Sequence, residues 1–282
     1  MGTIILEQRK RNKDGKFIGK PKIRISSSIA NFRDKLLQRT GLSEWRWNIF
    51  TPTIFFGMYH YGDYIRAILH LGPKKIFWCG ADILNLPKHL WPLLIHKTKH
   101  YCENEVEQIE LAKKGIYAQV LPMIFENFKS VDAYRHSKKP QVFITMHKGR
   151  KVEYGAGLVA TIRKRCPDVT FHIYGIRGRN TENIIFHGHV TSDDFNKQIL
   201  NYHAALRLNE FDGFAETLAK SVLLGQYPIS RIAYPGIDTY TTEDELVVKL
   251  NELCTKTMPN PERIVWWARL ENNLLKLIGD WR

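Results

Sequence analysis

The sequence lacks the features that mark membrane-spanning, secreted and disulfide-rich proteins. No apolar run approaches the roughly 20 residues that span a bilayer. The first residues, MGTIILEQRKRNK, carry their charges after a short apolar run, which is the wrong order for a signal peptide. The four cysteines lie far apart and form no Cys-x-x-Cys pair, so we expect free thiols in a reducing cytosol and no zinc site.

Acidic residues are scarce in the first third of the chain. Residues 1–100 contain 18 Lys and Arg but only 6 Asp and Glu, so they carry +12 of the formal net charge of +14. The excess is greatest in RKRNKDGKFIGKPKIR (9–24), which has eight basic residues and one acid. Such a segment attracts polyanions such as nucleic acid, anionic lipid headgroups or acidic glycans, or else it is a solvated surface that keeps the protein soluble.

The rest of the sequence alternates between apolar strands and helices. The strands are apolar along their whole length, which is typical of a parallel sheet covered by helices on both faces. In the first half we predict strands at 53–59, 74–80, 99–104 and 116–125, and helices at 29–40, 61–71, 86–96 and 105–115, with a break at Pro92. Residues 1–25 resemble a hairpin around Asp14-Gly15, with Pro21 keeping its second strand at an edge.

A polar stretch at 126–140 is typical of a linker, and the alternation restarts after it. Strands are predicted at 141–147, 169–175, 183–190 and 204–209, with helices at 155–167 and 193–203. We therefore predict an α/β protein with an N-terminal domain (1–128), a second domain (140–258) and a C-terminal helix (259–282) that starts at Asn260-Pro261.

The most informative segment is NEFDGFAETLAKSVLLGQYPIS, a polar turn that leads from a strand into an apolar helix. Ligands of open α/β sheets bind at such turns, at the carboxyl ends of the strands. Gly213 permits a close backbone approach, and the helix that begins near Phe214–Thr217 presents free N–H groups to an anion.

Four segments in this order, VFITMHKGRK, RKRCPDVTFHIYG, NIIFHGHV and NEFDGFAETLAKSVLLGQYPIS, resemble the second domain of GT-B glycosyltransferases. The resemblance is to the retaining class related to glycogen synthase and bacterial glycan and glycolipid transferases, and it covers roughly 140–235. KKIFWCGADI and HYCENEVEQIELAKKGIYAQVLP resemble parts of the first domain. The resemblance implies two Rossmann-like βα domains that face each other across a cleft.

The resemblance also implies a donor site for a nucleotide-diphosphate sugar, UDP- or GDP-hexose, and no cofactor or metal. The Asp-x-Asp motif of the metal-dependent GT-A architecture is absent, as are a phosphate-loop lysine and a Gly-x-Ser-x-Gly turn. Basic residues after the first strand of the second domain would neutralise the diphosphate. The implied donor-binding residues are Lys148, Arg150, Lys151, Gly188, His189, Val190, Gly213, Phe214, Ala215, Glu216, Thr217 and Lys220.

Three positions next to the expected reaction centre are assigned as catalytic, and two of them depart from the family. Asp212 stands where the family has a first glutamate, and Cys79 replaces a histidine beside the transferred sugar, whereas Asp82 keeps an acid. Lys220 replaces a second glutamate that binds ribose, so it would reach a phosphate or pair with Glu216.

Two histidines of the donor segment have alternative roles. His187 and His189, two residues apart on a predicted strand, would share one face and either pack or contact the base, with metal binding as the remaining option.

These observations predict transfer of a hexose, with retention, to a hydroxyl acceptor that is anionic or sits on an anionic support. The basic first domain would bind that acceptor, which is either DNA with hydroxymethylated bases, as for phage-type DNA glucosyltransferases, or a membrane glycolipid or glycan. We expect a cytoplasmic protein, peripheral on a membrane or associated with nucleic acid. The alternative is a non-catalytic nucleotide-sugar or nucleic-acid binding protein on a degenerate scaffold, which the changes at Cys79 and Lys220 motivate.

Overall fold

Two parallel sheets form the framework of the protein, in a computed structural model that describes residues 20–95, 98–279 and 281. The first sheet has the strand order β2-β1-β3-β4-β5-β6. Its strands β3 and β4 are buried along their whole length, which explains the apolar run of β3, while β4 begins with the buried lysines Lys74 and Lys75. The strands are β1 (Lys22–Ile25), β2 (Ser43–Glu44), β3 (Thr53–Phe56), β4 (Lys74–Phe77), β5 (Thr98–Cys102) and β6 (Ala118–Val120).

The helices of the first domain lie close to their predicted positions. They are α1 (Arg33–Thr40), α2 (Tyr61–Leu69), α3 (Trp91–Ile95) and α4 (Glu105–Ala112). Helix α1 stops where Gly41 adopts a left-handed φ of 64° and donates its N–H to the Leu37 carbonyl at 3.0 Å. The predicted break at Pro92 is wrong, because Pro92 is the second residue of α3, in the first turn, where its missing N–H costs no helical hydrogen bond.

The predicted N-terminal hairpin can be compared with the structure only at its second strand. Residues 1–19, with most of the predicted hairpin, lie outside the described part of the chain. The strand that follows Pro21, β1, pairs in parallel with β2 on one side and with β3 on the other, so it is an interior strand. The placement at an edge was wrong because β2, only two residues long, was not recognised in the sequence.

The second sheet has the order β12-β11-β10-β7-β8-β9. Its strands are β7 (Gln141–Thr145), β8 (Thr170–Tyr174), β9 (Ile184–Gly188), β10 (Ala204–Arg207), β11 (Ile229–Ser230) and β12 (Asp238–Thr239). The helices α5 (Ala156–Ile162), α6 (Ser192–Gln198), α7 (Glu216–Leu223) and α8 (Glu243–Glu252) cover it. The prediction missed α8, although Thr242 and Glu245 form a capping box at its start.

The C-terminal helix α9 (Glu262–Gly279) returns from the second domain to the first. Trp266 packs in the core beside α7, whereas Leu274 and Leu277 pack in the core of the first sheet. The Lys75 ammonium donates to the Leu277 carbonyl at 2.5 Å, which places a cation at the negative end of the helix dipole. The predicted architecture of two Rossmann-like βα domains with a C-terminal helix is confirmed.

Candidate active site

The carboxyl edges of the two sheets meet at the turn Asp212–Phe214, which follows β10. A Cβ atom built on Gly80, just beyond β4, would lie 3.0 Å from the Gly213 backbone nitrogen. The amide of Asn104, just beyond β5, donates to the Asp212 carbonyl at 2.7 Å. The turn that the sequence singled out therefore lies against the strand ends of the first domain, as expected for residues at a shared sheet edge.

Phe214 is held from two sides. Its side chain is buried, and its ring stacks on Trp266 with centroids 4.9 Å apart and planes 8° apart. Its backbone N–H donates to Oε2 of Glu103 at 3.1 Å, across the domain interface. The ring thus belongs to the core and does not form a pocket wall. The N–H could bind a nucleotide sugar only if its hydrogen bond to Glu103 opened.

Asp212 is neutralised within the second domain. The Arg207 guanidinium at the end of β10 donates to Oδ2 of Asp212, with its Nε at 2.6 Å, and to the Thr145 hydroxyl at 3.3 Å. The same guanidinium lies 4.6 Å from the centre of the Tyr154 ring. Because Arg207 is almost fully buried, it fixes the Asp212 carboxylate in place, and the sequence analysis did not single it out.

Three buried carboxyl groups face this turn from the first domain. Burial raises the pKa of Asp82 to about 7, although the carboxylate accepts the Met58 N–H at 2.8 Å and the Cys79 N–H at 3.0 Å. Burial raises the pKa of both Glu103 and Glu107 above the usual range, reinforced at Glu103 by the charge of Glu107 and at Glu107 by the charge of Asp82. Oε1 of Glu103 is buried and has no hydrogen-bond partner among the described residues.

Glu103 and Glu107 were missed by the sequence analysis. The available signal was the polar pair Glu103-Asn104 directly after β5, at the sheet edge where ligands bind. Cys79 and Asp82, which were predicted, lie in the same cluster. Burial and the carboxylates of Glu103 and Asp82 raise the pKa of the Cys79 thiol, so the sulfur is kept neutral and is not a thiolate nucleophile.

The basic loop after β7 is exposed and lies beside the Arg207–Asp212 pair. His147 accepts the Gly149 N–H at 3.3 Å and so shapes the turn that carries Lys148, Arg150 and Lys151. Arg150 pairs with Glu153 in an exposed ion pair. The Arg150 guanidinium also lies 5.8 Å from the centre of the Tyr154 ring, whose other neighbour is Arg207. Tyr154 thus connects the basic loop to the turn.

The end of β9 differs from the predicted strand. The strand ends at Gly188, which adopts a left-handed φ of 69°, so His189 and Val190 lie beyond it. His187 packs against Tyr174, with ring centroids 4.4 Å apart, whereas His189 is exposed. The prediction that both histidines share one strand face is therefore wrong. Gly188 and His189 remain at the carboxyl edge of the sheet. There β8 lies between β9 and β7, the strand that leads into the basic loop.

The residues at the start of α7 are half-buried. Ala215 is the N-cap residue, and Glu216 and Thr217 form the first turn. The Glu216 carboxylate accepts the Phe125 N–H at 2.8 Å, so it is engaged by the chain that leaves the first domain.

Lys220, in the second turn of α7, lies in a buried ionic cluster. Its ammonium forms an ion pair with Glu126, a hydrogen bond of 3.0 Å to Asn196 and a longer contact of 3.9 Å to Glu216. Glu126 also pairs with Lys35 of α1. The predicted pairing with Glu216 is present, but Glu126 at the start of the linker is the nearer partner.

Gly213 gives the first testable prediction. A Cβ at this position would lie 1.9 Å from Oε2 of Glu103, which is buried and bonded to the Phe214 N–H. We expect Gly213→Ala to lower the free energy of unfolding by about 1–3 kcal/mol, measured by urea denaturation. The control is Gly157→Ala in α5, where no atom lies within 4 Å and alanine should stabilise by about 0.5–1 kcal/mol. Equal stability of the two variants would contradict the close contact.

Neither a metal site nor a membrane span is evident in the described part of the chain. Across residues 20–95 and 98–279, no three His, Cys, Asp or Glu side chains are grouped so that they could hold a metal ion. The helices within those ranges are all too short or too polar to cross a bilayer.

Two parallel six-stranded sheets with touching carboxyl edges and a returning terminal helix define the GT-B fold of glycosyltransferases, and the described chain has this fold. The protein is similar in structure to the lipopolysaccharide outer core galactosyltransferase WaaB, with a TM-score of 0.58, 16% identity, and coverage of 89% of this chain and 81% of WaaB. It is also similar to Anabaena HepE, solved with UDP and glucose, with a TM-score of 0.57, 10% identity, and coverage of 88% of this chain and 78% of HepE.

The enzyme TarM gives a TM-score of 0.55 at 13% identity over 82% of this chain, which spans only 55% of the length of TarM. No family model and no curated protein matches the sequence. At such low identities these likenesses establish the fold alone.

Proposed function

We propose that this protein is a glycosyltransferase that moves a hexose from a nucleotide-diphosphate sugar to a hydroxyl acceptor, with retention and without a metal ion. The observation that carries the proposal is the arrangement at the carboxyl edge of the second sheet. There the basic loop 148–151 and the turn 212–214 follow the adjacent strands β7 and β10 of a GT-B fold, and residues 188–190 lie at the end of β9, which β8 separates from β7. Ligands of open α/β sheets bind at this edge.

On the donor side, the exposed cations of Lys148, Arg150 and Lys151 would neutralise the diphosphate as negative charge develops on the leaving group. Gly188, His189 and Val190 would line the base. The Asp212 carboxylate, fixed by Arg207, would accept a hydrogen bond from the sugar. HepE was solved with UDP and glucose, which supports a UDP-hexose as the first donor to test, with GDP-hexose as the second.

On the acceptor side, Asp82 and Cys79 would lie beneath the reacting sugar. The Asp82 carboxylate fixes the backbone of Met58 and Cys79, so its proposed role is to hold the two loops that face the donor. The acceptor is anionic or on an anionic support, either hydroxymethylated DNA or a membrane glycolipid or glycan. The basic character of residues 1–100 supports an anionic partner for this domain. The free cysteines are consistent with the proposed cytoplasmic location.

The proposal is tested by incubating the protein with radiolabelled UDP- and GDP-hexoses and separate acceptors, and by measuring transfer and hydrolysis. Binding of UDP and GDP alone is measured in parallel by calorimetry. Transfer of label to any acceptor supports the enzyme, whereas the absence of both turnover and nucleotide binding with all donors overturns it.

Arg150→Ala is expected to lower kcat by about 100-fold, the usual cost of losing one preorganised partner of transition-state charge. Stability should not change, because the ion pair with Glu153 is exposed and such pairs contribute little. The control is Lys164→Ala, an exposed basic residue just beyond α5 on the same domain. Equal rates for both variants would remove Arg150 from the site.

A second candidate function is non-catalytic binding of a nucleotide sugar or nucleic acid on a degenerate GT-B scaffold. Two observations favour it: the Phe214 N–H is occupied by Glu103, and Lys220 is committed to Glu126. Tight binding of UDP or DNA without turnover would support this candidate over the enzyme.

A further inference from the structure

The two edges of the first sheet have opposite chemistry. The carboxyl edge is acidic, buried and turned toward the second domain, as Asp82, Glu103 and Glu107 show. At the amino edge, the loops that enter β3, β4 and β6 contain no Asp or Glu: residues 45–52, 69–73 and 113–117. This edge faces away from the candidate active site, because the strands are parallel.

Exposed apolar side chains follow one another along the amino edge. Single exposed apolar residues are normal, but a row of them on neighbouring loops marks an interaction surface. Every described segment that leads into β3, β4, β5 or β6 includes at least one, and Leu69 and Ile95 are the last residues of α2 and α3. The exposed residues of the row are Trp47 (71% exposed), Phe50 (67%), Leu69 (62%), Leu71 (68%), Ile95 (42%) and Tyr117 (86%).

The loops before β3 and β4 form one continuous surface. The N–H groups of Leu71 and Gly72 donate to the Ile49 carbonyl at 2.9 and 2.8 Å. The Trp47 ring lies 5.4 Å from that of Trp45, and the Arg66 guanidinium lies 5.2 Å from the centre of the Trp47 ring. The backbone at Trp47 has a positive φ of 51°, a conformation that is unusual for a bulky residue. The indole is thus presented outward on a fixed loop.

Basic residues surround this row. Arg46 is exposed beside Trp47, and Lys22 begins β1 at the same edge. The exposed residue Lys20, the first that the structure describes, precedes β1 at this edge. The nearby acid Glu44 is paired with Arg33. The surface therefore combines apolar side chains with uncompensated positive charge.

We propose that the amino edge of the first sheet is an attachment surface for an anionic lipid bilayer. Trp and Tyr rings favour the headgroup level, aliphatic side chains enter the acyl boundary, and basic side chains are attracted to anionic lipids. The row of exposed Leu, Ile and aromatic side chains favours a bilayer over nucleic acid, because the acyl boundary can bury all of them, whereas base edges offer few apolar groups. The attachment is separate from the cleft, and it does not depend on the proposed transfer reaction.

The test measures binding of the whole protein to vesicles of phosphatidylcholine, with and without phosphatidylglycerol, at low and high salt. We expect binding only to the anionic vesicles, weakened by salt. The double variant Trp47→Ser/Leu71→Ser should lower the partition constant about tenfold or more without changing the melting temperature, since both side chains are exposed. The matched control is Met258→Ser/Ile264→Ser, whose side chains are each 69% exposed elsewhere on the protein.

Each other outcome overturns the proposal. These outcomes are equal binding to neutral and anionic vesicles, equal loss in both double variants, or no vesicle binding at all. Binding of a DNA oligonucleotide that depends on Trp47 and Leu71 would assign the surface to nucleic acid instead. A dimer that dissociates only in the Trp47→Ser/Leu71→Ser variant would assign it to a second copy of this chain. UDP titration in the same samples reports the donor site separately, so a failure of the proposed function is distinguishable from a failure of this proposal.

Discussion

Lys220→Glu is expected to lower the free energy of unfolding by about 4 kcal/mol or more, and the melting temperature by about 10 °C or more. The Lys220 ammonium is buried, and its charge neutralises Glu126 and Glu216. Burial pushes the pKa of Glu126 up, but the charges and hydrogen bonds of Lys220 and Lys35 outweigh burial and hold it below its ordinary value. A glutamate at position 220 would bring a third carboxylate into this cluster.

Two further variants make the result interpretable. Lys220→Met keeps the length of the side chain and leaves Glu126 paired with Lys35, so it should cost less than Lys220→Glu. Lys197→Glu makes the same charge change on the exposed face of α6 and should alter stability by less than about 0.5 kcal/mol. Thermal unfolding followed by circular dichroism checks all three. If Lys220→Glu were as stable as Lys197→Glu, the buried cluster would not exist in solution.

The cluster explains why the family's glutamate is absent at position 220. In the GT-B transferases that this sequence resembles, the corresponding residue is a glutamate that is expected to bind ribose. Here the corresponding side chain is buried and points to Glu126 at the start of the linker and to Asn196 of α6. Lys220 is thus a buried contact that connects the start of the linker to the second domain. Ribose must be bound by other groups if the protein uses a nucleotide donor.

The order of strands and helices could be predicted because the pattern is local. Continuous apolar strands such as β3, and helix ends such as Gly41, depend on neighbouring residues. The errors fell on elements with little local signal. Strand β2 has two residues and acquires its identity only by pairing with β1, and the interior place of β1 follows from that pairing.

The candidate site was predicted less completely than the fold. The turn at Gly213 could be found in the sequence because its glycine and the motif that resembles the GT-B family lie in one continuous segment. Glu103 could not be found in this way, because the bond to the Phe214 N–H joins residues more than a hundred positions apart. For the same reason Lys220 could be assigned to Glu216, its helical neighbour, but not to Glu126. Rules based on residue spacing, such as the i,i+4 rule for helices, cannot predict charge pairs between distant parts of the sequence.

The carboxyl cluster predicts a loss of stability as the pH rises above the ordinary glutamate pKa of 4.5. Glu103 and Glu107 have folded pKa values above the usual range, so the folded protein retains a proton that the unfolded chain has released. When the folded state binds more protons, stability falls as pH rises. The slope for one such proton is about 1.4 kcal/mol per pH unit. Asp82, with a folded pKa of about 7, acts in the same direction up to that pH.

The pH window has to lie above 6.5, because buried histidines act in the opposite direction below it. Burial lowers the pKa of His70, His100 and His172 to about 4, so the unfolded chain binds more protons than the folded one between about pH 4 and 6.5. Above that range these histidines are neutral in both states. From pH 7 to 9 the melting temperature should therefore fall, because the carboxyl pair and, toward pH 9, the buried thiols of Cys79, Cys102 and Cys166 keep protons that the unfolded chain releases.

Glu103→Gln isolates the source of this slope. The glutamine carbonyl can still accept the Phe214 N–H, while the repulsion with Glu107 and Asp212 is removed. We expect the variant to be more stable than the unchanged protein at pH 8, and its melting temperature to depend less on pH between 7 and 9. Glu252→Gln, an exposed residue at the end of α8, should leave the slope unchanged. If Glu103→Gln retained the full slope, the retained proton would belong to another group of the cluster, such as Glu107 or Asp82.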